Sequence, residues 1–183
     1  MSRGYSVAQT ARLVCALRWA CRRLSEMLDD WAAQAASSPE HAQAAASMSQ
    51  LSRRLTSHRE ILDGLQPDSE LMAPWRRAAP ADPALAGALD EIAGLAGHCG
   101  RVAVARGVIV PRLANVCGEI LGHAAPHCDG ALASAARALR QDLDRDAASV
   151  GAAQPGAVEA ADLVLTAAGG IIGPSLLRPG DWP

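Results

Sequence analysis

The stretch AAASMSQLSRRLTSHREILDGL, residues 44–65, decides the architecture. Ala44, Met48, Leu51, Leu55, His58, Leu62 and Leu65 follow one another by alternate steps of four and three. That spacing is the seam of a helix that packs on another helix. His58 occupies one step of the seam. Its ring can donate, accept or bind a metal, and it points where hydrocarbon is otherwise found. A functional site inside a helical bundle begins with such a residue.

Toward the N-terminus the same pattern recurs. Leu13, Leu17, Ala20, Leu24, Met27 and Trp31 mark a helix over about 7–36. Ser37-Ser38-Pro39-Glu40 then supplies a turn and a new start, with Ser38 as cap, Pro39 at the first helical position and Glu40 complementing the dipole. Helices over 7–36 and 39–65 therefore form an antiparallel hairpin. Toward the C-terminus, Pro67, Pro74 and Pro80 precede Pro83, and Trp75-Arg76-Arg77 lies among them. This segment reads as a crossover between two helical hairpins.

A third helix is predicted over 83–123, with Asp82 as cap. Its stripe runs through Leu85, Leu89, Ile92, Ala96, Cys99, Val102, Arg106, Ile109, Leu113, Val116 and Ile120. Gly94, Gly97 and Gly100 interrupt it, and Pro111 would clash with the carbonyl of Gly107, so a kink is expected near 100–111. Residues 123–130 form a turn with Asp129 as cap. A fourth helix follows over 131–150, with Leu132, Ala136, Leu139, Leu143 and Val150 inward, and a short fifth over 157–168. The tail 169–183 carries Ile171, Ile172, Leu176, Leu177 and Trp182, which is apolar enough to dock on the bundle or on a second copy. No strand alternation is present. The fold class is all-α, a four-helix bundle in a single domain spanning 1–183.

Composition agrees. Half of the 183 residues are hydrophobic, largely through alanine, and phenylalanine is absent. All 17 basic residues are arginine, a bias typical of high-GC bacterial coding, and the net charge of −2 gives no basic field for nucleic acid. The N-terminus has no signal-peptide core, and no run approaches the ~18 apolar residues of a spanning helix. The expectation is a cytoplasmic protein that binds neither nucleic acid nor membrane. Cysteines 15, 21, 99, 117 and 128 are odd in number and contain no CxxC, so a disulfide framework is not expected. They read as small buried hydrophobes.

Two antiparallel hairpins joined by a long link, over roughly residues 7–150, resemble the ferritin-like superfamily. The resemblance implies a bundle whose interior carries glutamates and Glu-x-x-His pairs around two metal ions. This chain departs from that pattern. It contains no Glu-x-x-His. The corresponding helices offer Glu26, then His58 with Glu60 turned roughly 200° away, then Glu119 and His123 at i, i+4, and finally Asp142, Asp144 and Asp146. A di-iron centre is therefore not expected and no metal ligand is assigned. A single metal ion on His58, Glu119 and His123 remains one use of those side chains.

The candidate catalytic residues are Glu26, His58, Glu119 and His123. Each histidine has an ordinary structural alternative: a hydrogen bond to a carboxylate or carbonyl for His58, a helix C-terminal dipole contact for His123. Arg106 and Trp75 are the candidate ligand-binding residues. Arg106 lies within a stripe and needs a partner, from Glu26, Glu119 or Asp146, unless it clamps a ligand carboxylate or the helix turns it to solvent. Trp75 either lids a pocket or anchors the crossover. Cys117, His123, His127 and Cys128 cluster at the turn but match no zinc spacing. Walker, nucleophile-elbow and HExxH motifs are absent. Two functions remain open. One is a ferritin-like bundle of bacterial small-molecule metabolism, catalytic or merely ligand-binding, with an interior polar site. The other is a non-catalytic bundle that forms a homodimer or docks a partner.

Overall fold

The computed structural model describes residues 4–65, 73, 83–95, 97–125, 127–147 and 154–173. Every regular element among them is helical. None of those helices is long and apolar enough to cross a membrane.

Helix α1 (Val7–Ala35) opens with a capping box. The Ser6 hydroxyl accepts the Gln9 N–H at 3.2 Å, and the Gln9 side chain accepts the Ser6 N–H at 2.9 Å. Its stripe, Leu13 through Trp31, is buried throughout. A 3₁₀ turn at Pro39–His41 leads into α2 (Ala42–Gly64). Proline therefore starts the turn, and the α-helix proper begins three residues later than the sequence suggests. The Ser38 side chain makes no capping bond, because the tight turn has already engaged the backbone: the His41 N–H bonds the Ser38 carbonyl. Helices α1 and α2 pack against each other along their length. Inside that interface the Ser52 hydroxyl donates to the Ser25 carbonyl at 3.0 Å.

Helix α3 (Pro83–Ala93) is followed by α4 (His98–Val104), a π-helical turn (Ala105–Ile109) and α5 (Val110–His123). The irregularity expected near 100–111 is present as the π turn, but the full break of the helix lies elsewhere. The chain breaks earlier, at 94–97, where Gly97 takes φ +84°, a left-handed conformation that only glycine adopts readily. Beyond it the helix runs on past Pro111. The π turn makes this feasible: the Val110 N–H reaches five residues back to the Ala105 carbonyl. The wider turn displaces the preceding carbonyls from the ring that a regular α-turn would force them against. The break also resets the register. Gly100, Ala103 and Val104 are the buried positions of α4, whereas Cys99 is exposed and Val102 only half-buried.

Helix α6 (Gly130–Ala147) returns along α5 as a second hairpin and also meets α2. Helix α7 (Pro155–Ala167) lies on α3, α4 and the π turn. Close approach is possible because a Cβ at Gly107 would already meet the Val158 side chain at 3.3 Å. After α7 the chain turns so that Ile171 and Ile172 enter the same core. The tail to that point docks on its own bundle. The crossover with Trp75, and the tail residues Leu176, Leu177 and Trp182, lie outside the described residues.

Asp129 does more than start α6. Its carboxylate is 2% exposed and accepts the backbone N–H groups of Tyr5 at 3.1 Å and Ala125 at 2.8 Å, with the Thr10 hydroxyl at 3.3 Å. It latches the N-terminal segment to the α5–α6 turn. Gly4 is required there, since a Cβ would lie 2.5 Å from that of Ala125.

Asp129→Ala should strand two buried backbone donors. The expected loss is about 2–4 kcal/mol, read from urea unfolding as a lower midpoint with an unchanged slope.

Cys15, Cys21 and Cys117 are buried, while Cys99 and Cys128 are exposed. Burial pushes the Cys21 thiol up to about 12, with Cys117 adding to it, and burial likewise pushes Cys117 to about 12. Maleimide at pH 8 should therefore modify Cys99 and Cys128 in the native protein and the other three only after denaturation. The folded chain retains thiol protons that the unfolded chain releases near its ordinary value of 9.0. Stability should fall as pH rises above about 9. The combined Cys21→Ala and Cys117→Ala variant should show a shallower decline between pH 9 and 10.

Candidate functional site

Two polar rungs link α2 to α6. His58 and Arg54 are four apart on α2, and Asp142 and Asp146 are four apart on α6, so each pair lies on one helix face. The helices run antiparallel. His58 Nε2 is 2.6 Å from Asp142 Oδ2, and Arg54 Nη1 meets Asp146 Oδ1. Arg54 also approaches the Asp142 carbonyl at 3.5 Å. The second oxygen of Asp142 pairs with Arg145 at 2.8 Å. His58 is buried, at 5% exposure, and Asp142 is its hydrogen-bond partner.

The space beside His58 is a shallow, tightly packed dimple. Leu17, Leu62, Ala135, Ala136 and Leu139 surround it and leave no room for a water molecule. With its ring committed to Asp142, His58 is a core-specifying residue in this geometry rather than a ligand-contacting one.

Two to three turns from His58 along the same helix lies a half-open cleft. Ser47, Gln50, Leu51, Val102, Arg106 and Asp146 are among the residues that line it. About 40 Å³ is open to the centres of water-sized molecules. A cleft of that size takes a few waters or a single polar head group, not a whole metabolite. Arg106 sits in the π turn, and its Nη2 donates to the Ser47 hydroxyl at 2.6 Å. The widened turn carries Arg106 to the edge of the seam, half-buried and facing α2. π turns interrupt helices at a structural cost and occur often at functional sites.

The structure does not gather the other candidates here. Glu26 is on the solvent face of α1, 54% exposed in its side chain and 3.8 Å from Arg22. Leu24, Met27, Leu28 and Trp31 form the buried face, and Glu26 falls roughly 150° from its centre. Glu119 and His123 face each other at 3.6 Å on the last turn of α5, both substantially exposed. The His123 ring stands edge-on to Tyr5, 6.4 Å away. His58 instead packs beside Leu17, and the α1 segment from Val7 to Leu17 alone spans about 15 Å. His58, Glu119 and His123 thus occupy separate neighbourhoods. Among the described residues no group of three or more His, Cys, Asp or Glu side chains is arranged to hold a metal.

The sequence pointed to Asp142 and Asp146 without pairing them with His58 and Arg54, and it did not single out Arg54, Ser47 or Gln50 as parts of this region. One signal was available. Arg54/His58 and Asp142/Asp146 are complementary i, i+4 pairs on two helices of opposite direction. No family model matches the chain, and it matches no curated protein and no solved structure.

Removing His58 and removing Asp142 should differ in effect. His58→Leu substitutes hydrocarbon in an apolar surround and should change the thermal midpoint little. Asp142→Ala leaves the buried imidazole unpaired and should cost about 1–3 kcal/mol. In the double variant with His58→Leu most of that cost should disappear, which a double-mutant thermal-unfolding cycle reads directly.

Proposed function

We propose that this protein is a ferritin-like four-helix bundle of small-molecule metabolism that binds a ligand through its carboxylate end, seated on Arg106 in the cleft between α2 and the π turn. The observation that carries the reading is the π turn itself, which presents Arg106 to Ser47 beside a water-sized space. A guanidinium offers paired donors that match a carboxylate. The lining carries one cation, Arg106, and one anion, Asp146, and Asp146 is also paired with Arg54. Ser47 and Gln50 add polar groups on the opposite wall. The size of the space limits recognition to a head group, with the remainder of the ligand outside. His58 and Asp142 lie outside the lining of the cleft and take no chemical role in it. The di-metal chemistry of the ferritin-like superfamily forms no part of the proposal.

The test compares acetate with acetamide, its neutral counterpart of similar shape, by heteronuclear NMR. Acetate should shift the resonances of Ser47, Gln50 and Arg106 saturably, and acetamide should not. Arg106→Gln should weaken acetate binding about tenfold, as expected for loss of a charge-assisted pair, with the helical circular dichroism unchanged. Equal responses to both probes, or acetate binding that survives Arg106→Gln, would exclude this site.

A further inference from the structure

A second histidine-bearing place lies away from the cleft. His41 ends the 3₁₀ turn between α1 and α2, and His98 begins α4. Their rings are 4.5 Å apart between centroids and tilted by 44°. Both residues are half-buried. The Nδ1 of His98 is shielded from solvent and has no hydrogen-bond partner among the described residues. Most shielded ring nitrogens are hydrogen-bonded, and that bond fixes the tautomer. Here the lone pair is uncommitted, next to a second imidazole delivered by a different part of the chain.

We propose that His41 and His98 together bind one borderline divalent transition-metal ion, of the Ni²⁺, Cu²⁺ or Zn²⁺ class, with water completing the coordination. Imidazole nitrogen is the preferred donor for these ions, whereas Mg²⁺ and Ca²⁺ require oxygen. Two imidazoles holding an ion at about 2.0–2.1 Å each need donor nitrogens roughly 3 Å apart. Rings at the observed separation reach that by small side-chain rotations. Two structural ligands with open positions make an exchangeable site, unlike the closed four-ligand sites that drive folding. The dipole at the start of α4 opposes a cation, which also keeps the affinity modest. Binding would cross-link the α1–α2 turn to the first turn of α4, immediately after the Gly97 break. The nearby arginine does not compete for this role. Arg101 is turned away, donating to the Leu95 carbonyl and Gln34 side chain while stacking over Trp31.

The experiment uses the untagged full chain titrated with NiCl₂ in an isothermal calorimeter, with MgCl₂ as the oxygen-ligand control. One equivalent of Ni²⁺ should bind and Mg²⁺ should give no heat. His41→Ala and His98→Ala should each weaken Ni²⁺ binding at least tenfold. His123→Ala, His127→Ala and Cys99→Ser should leave it unchanged. The thermal midpoint of the wild type should rise with Ni²⁺ concentration, as it does for any ligand of the folded state, and that of His41→Ala should not. Absence of one-site Ni²⁺ binding would overturn the proposal. So would binding that persists when His41 and His98 are both replaced, or that disappears with Cys99→Ser, which would place the ion on other ligands.

Discussion

Burying the His58 imidazole among hydrocarbon is costly unless it is hydrogen-bonded, and that constraint organises this bundle. The buried face of α2 is hydrocarbon except at Ser52, which bonds α1, and at His58, so the register of α2 on α6 that brings Asp142 to Nε2 is favoured over its neighbours. Helices lined by leucine and alanine would otherwise slide with little penalty, because small side chains offer few knobs to lock one register. One polar contact chooses among near-equivalent packings. The Arg54–Asp146 pair, one turn further on, agrees with the same choice. The stabilising value of such pairs is small, since desolvation offsets most of the attraction. Their value lies in alignment.

Alignment of α2 with α6 in turn fixes what lies at the end of the seam. Ser47, two turns before Arg54 on α2, faces the π turn and receives Arg106. The widening there solves two problems together. It accommodates Pro111 without ending the helix, and it turns a residue that falls on the buried stripe toward a cleft edge. Gly107, at the middle of the same turn, lets α7 close over the other side. The site and the unusual backbone are thus one feature.

The stripes of α1, α2 and α6 were legible because regular helices preserve phase, and Leu13 to Trp31, Met48 to Leu62 and Leu132 to Leu143 are buried as the spacing predicts. The stripe through the third predicted helix is buried at Leu85, Leu89 and Ile92 and again from Ile109 to Ile120, but it slips between the Gly97 break and the π turn, and neither event has a periodic signature. Cys99 therefore faces solvent, and Val102 only borders the core. Glu26 failed for a different reason. A residue directly behind a stripe is distinguished from one beside it only by angle, and a single acid carries no hydrophobic weight to reveal the difference. The partner of His58 was not predictable from α2 alone, since it depends on which residue of a helix 84 positions away comes level with it.

The latch at Asp129 has a consequence for the order of assembly. Tyr5 is bound by a residue 124 positions later. Helices α1 and α2 are adjacent in the chain and can pair as soon as both have left the ribosome. The N-terminal segment ahead of α1 cannot be secured until the α5–α6 turn has been synthesised. Loop closure over such a distance is slow relative to local helix pairing. The segment ahead of α1, made before the hairpin, is thus fixed after it, and during synthesis it presents Tyr5 and an unsatisfied backbone to whatever else is nearby. An early hairpin with a late clasp is the folding route this topology prescribes.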